Sequence, residues 1–267
     1  MNQSKLLLRV KNLAVHFTTD GKIIKAVDGI SFEIDEGETV AFVGESGSGK
    51  SVTALSIVRL IDPPGKIVNG EILWKDEIDL LKVDEDTMRK IRGREISIIF
   101  QDVSNSLNPV LSVGQQVAEV FTSHFMMNKK EARERVFELF EKIGIKEPGK
   151  IFDLYPHQLS GGLKQRILIA IAFALKPKLV IADEPTSSVD ALTQYQILEL
   201  FNSLQKEYKT SILLITHNFG IVTKISKRVY VMHKGKIVES GDTSAVLSKP
   251  SHPYTIKLIE SAKFLSL

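Results

Sequence analysis

Two short segments carry residue types suited to handling phosphate. Gly44-Glu45-Ser46-Gly47-Ser48-Gly49-Lys50-Ser51 sets glycines, a lysine and a hydroxyl in one tight run. Glycines let successive backbone N–H groups converge on phosphate oxygens, while the lysine reaches the β and γ phosphates of a nucleoside triphosphate. The Ser51 hydroxyl suits magnesium, a hard cation that prefers oxygen. The second segment is Leu159-Ser160-Gly161-Gly162-Leu163-Lys164-Gln165-Arg166. It puts Ser160 at the mouth of a predicted helix, where its hydroxyl, the N–H groups of Gly161 and Gly162 and the helix dipole favour an anion. A third run, Leu179-Val180-Ile181-Ala182, is apolar and ends in Asp183-Glu184-Pro185-Thr186. Asp183 is suited to orient a magnesium shell and Glu184 to accept a proton from an attacking water. Alone, such a pair also fits a solvated turn. With Lys50 the three runs converge on transfer of a phosphoryl group to water.

The elements that must position these groups alternate between strand-like and helical runs, which favours an α/β sheet covered by helices. Thr39–Val43 is a short β-rich run ending at the glycine loop, and Ser51–Leu60 continues with helical spacing. Strand, loop and helix in that order are the context the loop needs to cradle phosphate. Leu179–Ala182 and Ile212–Ile215 read as buried parallel strands whose polar ends face a site. Leu6–Ile34 alternates and turns at Asp20-Gly21, suggesting a small antiparallel sheet. From Asn105 to Lys176 the pattern is helical. Lys129–Ile143 reads as a solvated amphipathic helix with Val136, Leu139, Phe140 and Ile143 on one stripe. Pro63-Pro64-Gly65 and Glu147-Pro148-Gly149 read as turns.

Composition narrows the classes further. With 267 residues, 43% hydrophobic and 25% charged, the chain can bury a substantial core. No apolar run approaches a membrane span, since Ile167–Leu175 is closed by Arg166 and Lys176. The start, Met1-Asn2-Gln3-Ser4-Lys5, does not read as a signal peptide. Cysteine is absent, which excludes disulfides and cysteine-held metals within this sequence and agrees with a cytosolic setting. A net charge of +3, without basic runs interleaved with aromatics, gives no case for nucleic acid.

Taken together, the glycine loop, Leu159–Arg166 and the Asp183-Glu184 pair resemble the ATP-binding subunits of ABC transporters. The resemblance runs over roughly residues 6 to 260 and implies a P-loop NTPase with a RecA-like core. It also implies an N-terminal antiparallel β subdomain and an inserted helical subdomain at roughly 105–176, all within a single ATP-binding domain of residues 1–267. ATP and Mg²⁺ are the implied cofactors. By resemblance, Gln101 touches magnesium and the lytic water, and His217 occupies the position of the γ-phosphate sensor. Phe17 corresponds to the aromatic that stacks on adenine, although a core role also fits it. Asp190, in Ser187-Ser188-Val189-Asp190, matches the loop that crosses a dimer interface.

Gln101-Asp102, Ser106–Val110, Tyr155–Gly162 and His252-Pro253-Tyr254-Thr255 look like the peptide and nickel importer branch. Val103 and Asn218 depart from that pattern, where proline and aspartate are commoner. The cysteine-rich tail of many peptide-importing members is missing from this sequence, which leaves import of nickel or metallophores open beside import of di- and oligopeptides. A soluble ABC protein outside transport fits less well, because such proteins usually carry two cassettes in one chain or a long coiled-coil insertion and this sequence shows neither; a regulatory subunit without turnover fits less well because Glu184 and His217 are intact. Implied partners are a second ATP-binding subunit, two membrane permeases and an extracytoplasmic solute-binding protein. The implied place is the cytoplasmic face of the membrane. Ser160 is expected to act on the nucleotide of the second subunit.

Overall fold

A computed structural model describes residues 5–103, 105–187 and 189–264, with backbone alone at 262–264. Ser188 of the segment matched to the interface loop and the Met1–Ser4 start lie outside these residues. In chain order the elements are β1 (Leu6–Thr19), β2 (Lys22–Asp35), β3 (Thr39–Val43), α1 (Lys50–Ile57), β4 (Gly65–Trp74), β5 (Ile78–Asp79), α2 (Glu85–Ile91), β6 (Ile96–Ile99), α3 (Val113–Phe125) and α4 (Lys129–Lys142). There follow α5 (Pro148–Phe152), α6 (Gly161–Phe173), β7 (Leu179–Asp183), α7 (Ala191–Tyr208), β8 (Ser211–Thr216), α8 (Phe219–Ile225), β9 (Arg228–His233), β10 (Lys236–Asp242), α9 (Thr243–Ser248) and α10 (Pro253–Phe264). They fall into two compact units, one running up to Arg92 and resuming at Ser211, the other Gly93–Thr210.

The first unit holds two sheets. One is antiparallel in the order β2-β1-β4-β5. Its first hairpin turns at Asp20 and Gly21, both at positive φ (51° and 73°), a backbone that matches strand twist and that Asp-Gly adopts readily. The other sheet runs β10-β9-β3-β8 within this unit, with β3 parallel to both β8 and β9 and β10 antiparallel at the edge. All five residues of β3 are buried, as a parallel strand covered on both faces requires. Phe32 of β2 meets Phe42 of β3 and Tyr230 of β9 edge to face, and Phe42 lies tilted against Tyr230, at 4.8 to 5.8 Å between ring centres, so the three rings tie the two sheets together. On the opposite side Ala41, Val43, Val229 and Val231 pack against Phe219, Val222, Val246 and Ile259 from α8, α9 and α10. Each fully buried side chain of this size contributes about 1.5–3 kcal/mol.

The second unit pairs β6 and β7 in parallel, from Ile96 opposite Leu179 to Ile99 opposite Ala182, with α6 packed against β6 and α3 and α4 against α6. Capping boxes begin α3 (Ser112 with Gln115) and α4 (Asn128 with Glu131), so both helices start where their unpaired N–H groups are met. On α4 the stripe Val136, Leu139 and Phe140 is buried together with Ile143 just beyond it, as its spacing demands.

Two local expectations are corrected. The helix after the glycine loop ends at Ile57 instead of Leu60. Arg59 turns left-handed (φ 54°), and the N–H groups of Leu60 and Arg59 return to the carbonyls of Leu55 and Ser56. The Arg59 guanidinium fixes this stop by donating to the carbonyls of Leu80 (3.3 Å) and Val83 (2.6 Å). Glu147-Pro148-Gly149 is a helix start and not a plain turn. Pro148 is the first residue of α5, a position where its missing N–H costs nothing.

The C-terminal helix is fastened to β10 by one carboxylate. Glu239 accepts from the Ser251 N–H (2.7 Å), the Ser251 hydroxyl (2.8 Å) and the His252 N–H (3.1 Å). Burial works to raise its pKa, but these donors outweigh that and hold it at about 2, against an ordinary 4.5. A depressed carboxylate stabilises the fold above its unfolded value, and that contribution disappears as pH falls from about 4.5 toward about 2. Thermal melts of wild type and Glu239→Gln should therefore differ most at about pH 6 and converge as the pH drops through that window.

Candidate functional site

In the first unit β3 delivers the chain directly into the glycine loop. Gly44 (φ 156°) lies so close to the backbone of β9 that a Cβ would meet the Met232 carbonyl at 2.2 Å. Gly49 (φ 104°) has the Ala26 carbonyl of β2 at 2.3 Å from the same virtual atom. Gly47 (φ 78°) faces open space, and there the left-handed backbone alone calls for glycine. The Ser48 carbonyl accepts from the Gly235 N–H at 3.0 Å, so the β9–β10 turn also holds the loop. Glu45, Ser46 and Gly47 are exposed, leaving the outer arc of the loop to solvent.

Lys50 opens α1 and is only 7% exposed. Its ammonium donates to the carbonyls of Gly44 (2.7 Å) and Glu45 (2.9 Å) and to the Ser48 hydroxyl (3.2 Å), so it spans the loop. Ser51 follows it in the first turn, half-buried. An ammonium, a helix N-terminus and a ring of amides together suit a polyphosphate. Val43 pairs with Thr216, so His217, exposed just past the end of β8, stands alongside the start of the loop. Phe17 lies on β1 opposite Ile24 and Gly65. Its ring passes within 2.6 Å of where a Gly65 Cβ would sit, so the missing side chain at Gly65 makes room for the aromatic.

In the second unit the parallel pair brings Gln101, Asp183 and Glu184 to one end. Ile99 pairs with Ala182; Gln101 is exposed two residues past that rung, and Glu184 is two residues past it, just beyond the end of β7. Asp183 and Glu184 are 6% and 8% exposed. Glu184 turns left-handed (φ 47°), uncommon for a residue with a Cβ and worth about 1–3 kcal/mol of local strain. Its carbonyl accepts from the N–H (3.2 Å) and hydroxyl (3.1 Å) of Ser187, and Gln194 of α7 donates to the Thr186 carbonyl (3.0 Å), so the turn is held from both sides.

Ser160 caps α6, its hydroxyl accepting from the Leu163 N–H at 3.3 Å. Asp190 caps α7: its carboxylate accepts from the Thr193 N–H (3.0 Å) and hydroxyl (2.7 Å), and those bonds hold it below the usual range. Thr193 was not singled out from the sequence, yet its methyl lies 2.8 Å from where a Gly162 Cβ would be. The two helix N-termini therefore lie side by side, with Gly162 and Thr193 between them. The Asp-x-x-Thr spacing before a helical run was the available signal, since it is a capping pattern.

Each unit offers oxygen donors of its own: the first the Ser51 hydroxyl, the second the Asp183 carboxylate and the Gln101 amide. Among the described residues no cluster of three or more His, Asp or Glu side chains forms a metal cage. Hydroxyl, carboxylate and amide oxygens are the donor types magnesium takes, and carried in on phosphates it needs few protein ligands.

Residues 27–187 match the family described as ABC transporter. The chain belongs to the ABC transporter family. The oligopeptide transport ATP-binding protein OppD of Bacillus subtilis (strain 168) is 48% identical over 256 residues, covering 96% of this chain and 71% of that protein. The dipeptide transport ATP-binding protein DppD of the same organism is 47% identical over 262 residues, 98% of this chain and 78% of its own length. A solved structure, the ATP-binding cassette MJ0796 as a dimer in a post-hydrolysis state bound to ADP and Pi, superposes with a TM-score of 0.80 at 29% identity, over 89% of this chain and 99% of that one. Within the family the chain is the ATPase. Among its described residues no helix is long and apolar enough to cross a membrane.

The tight fit of Gly49 makes it a sensitive reporter of the loop. Gly49→Ala sets a methyl against the Ala26 carbonyl on a backbone that resists it. Titration with a fluorescent ATP analogue should show affinity reduced at least about ten-fold while the circular dichroism stays that of wild type.

Proposed function

We propose that this chain is the ATP-hydrolysing subunit of an importer for di- and oligopeptides. The observation that carries the cargo is its similarity, over nearly its whole length, to peptide transport ATP-binding proteins. That similarity favours peptides over nickel or metallophores. The two units, including the helical stretch at roughly 105–176, work as one cassette.

Lys50 and amides within the Gly44–Ser51 loop hold the β and γ phosphates, and Phe17 stacks on the adenine. Mg²⁺ would be held by Ser51, Asp183 and Gln101, and when bound it would supply charge that neutralises the phosphate oxygens. Gln101 orients the lytic water, and Glu184 takes its proton as the water oxygen bonds to the γ phosphorus and the bond to the β-phosphate oxygen breaks. His217 donates to the γ phosphate. Its exposure beside the loop supports that role.

Ser160, Gly161 and Gly162 act on the nucleotide of a second subunit, and Asp190 reaches across the same interface. Leu192 and Tyr195, 68% and 50% exposed on the first turns of α7, give that end an apolar surface for a partner. Two permeases in the membrane and an extracytoplasmic solute-binding protein complete the importer, with this chain at the cytoplasmic face. Closure on ATP and release after hydrolysis move the permeases because the two states bind nucleotide differently.

Glu184→Gln tests the reading in the assembled importer. It should keep ATP binding, slow hydrolysis by about 10²- to 10⁴-fold and abolish growth on an oligopeptide as sole source of a required amino acid. Near-normal turnover removes Glu184 from its role. Unchanged peptide growth, with uptake of another solute lost, refutes the cargo.

A further inference from the structure

The His252–Thr255 segment has no part in the site described above, yet it touches it. The Tyr254 hydroxyl accepts a hydrogen bond from the Glu45 N–H at 3.0 Å, across 209 positions of chain. Glu45 is the second residue of the glycine loop, and its own carbonyl is one of the acceptors that hold the Lys50 ammonium (2.9 Å). One residue thus carries the tail's hydrogen bond on its N–H and the phosphate-binding lysine on its carbonyl.

Tyr254 is itself firmly placed. Its ring lies against His233 at the end of β9, with centroids 3.9 Å apart and planes 30° apart. Its N–H donates to the His252 Nδ1 at 3.2 Å. The preceding residues are anchored by the Glu239 carboxylate on β10. Burial pushes the phenol up, beyond what the Glu45 N–H offsets, so the hydroxyl is neutral at physiological pH and accepts through a lone pair. A continuous path runs from β10 through Ser251 and His252 to Tyr254, Glu45 and Lys50.

We propose that Tyr254 is a positioning residue for the phosphate loop, and that through it the C-terminal helix α10 sets the affinity of the loop for nucleotide. The proposal rests on the ATPase reading and goes beyond it by giving the tail a part in ATP binding. Tyr254 touches neither phosphate nor water; it fixes the peptide whose neighbour aims Lys50. Because the loop contacts phosphate both before and during hydrolysis, loosening it weakens binding of both states alike. The cost then falls on KM and spares kcat.

Tyr254→Phe keeps the ring and removes the one acceptor. Amide hydrogen exchange of nucleotide-free protein should show the Glu45 N–H exchanging about three- to ten-fold faster. Affinity for a fluorescent ATP analogue, and the KM for ATP, should weaken by about three- to ten-fold with kcat within about two-fold of wild type. The melting temperature should stay close to that of wild type, which a purely structural hydroxyl would lower. Glu239→Ala, which releases the segment without touching the ring, should raise KM in the same direction. Wild-type affinity and exchange in Tyr254→Phe overturn this proposal alone, as does a loss confined to kcat. A wild-type chain with no ATP affinity overturns the ATPase reading and this proposal with it.

Discussion

Two glycines of the loop Gly44–Ser51 have no room for a side chain, and the surrounding structure of the first unit enforces this. The Met232 carbonyl closes on Gly44 and the Ala26 carbonyl on Gly49, each nearer than a Cβ could bear. The strands supplying those carbonyls are fixed by the buried β3 and by the Phe32, Phe42 and Tyr230 rings. The loop is therefore a packed part of two sheets, and the Lys50 ammonium is oriented before any ligand arrives. Such preorganisation lowers the ordering cost of binding.

The second unit carries a different constraint. Two carboxylates are buried at the end of β7, and the second sits on a left-handed turn held by Ser187 and Gln194. Charge withdrawn from water at a strained backbone is costly, and it persists where the fold over-determines it. Strain at a proposed general base accords with a site shaped for chemistry in preference to stability. The adjoining N-termini of α6 and α7 add a second anion-favouring surface, built on capping by Ser160 and Asp190. For Asp190 the capping bonds are a structural duty that any role at an interface must share.

The glycine loop was legible in the sequence because its residue pattern, with the strand before it and the helix after it, is short-range, although the carbonyls that crowd Gly44 and Gly49 come from β9 and β2. The Asp20-Gly21 turn and the Val136, Leu139 and Phe140 stripe were legible for the same reason. What the sequence hid depends on distant neighbours. The stop at Ile57 needs Arg59 to find the carbonyls of Leu80 and Val83, and the left-handed Glu184 needs the side chain of Gln194. The grip of Tyr254 on Glu45 joins residues at opposite ends of the chain, where no periodicity could reveal it. Glu147-Pro148-Gly149 has the composition of a turn, yet proline also suits the first position of a helix, where Pro148 sits.

The central claim is that a phosphate loop and a serine-capped helix in one chain serve two different nucleotides in a pair of subunits. Mixing a Lys50→Ala chain with a Ser160→Arg chain tests it directly, on the native pair if the partner is a different protein. Each mutant is inactive with itself, and the mixture should regain ATP hydrolysis, because one composite site then draws an intact Lys50 from one chain and an intact Ser160 from the other. A mixture as inactive as its components, with dimers shown to form, would contradict the account.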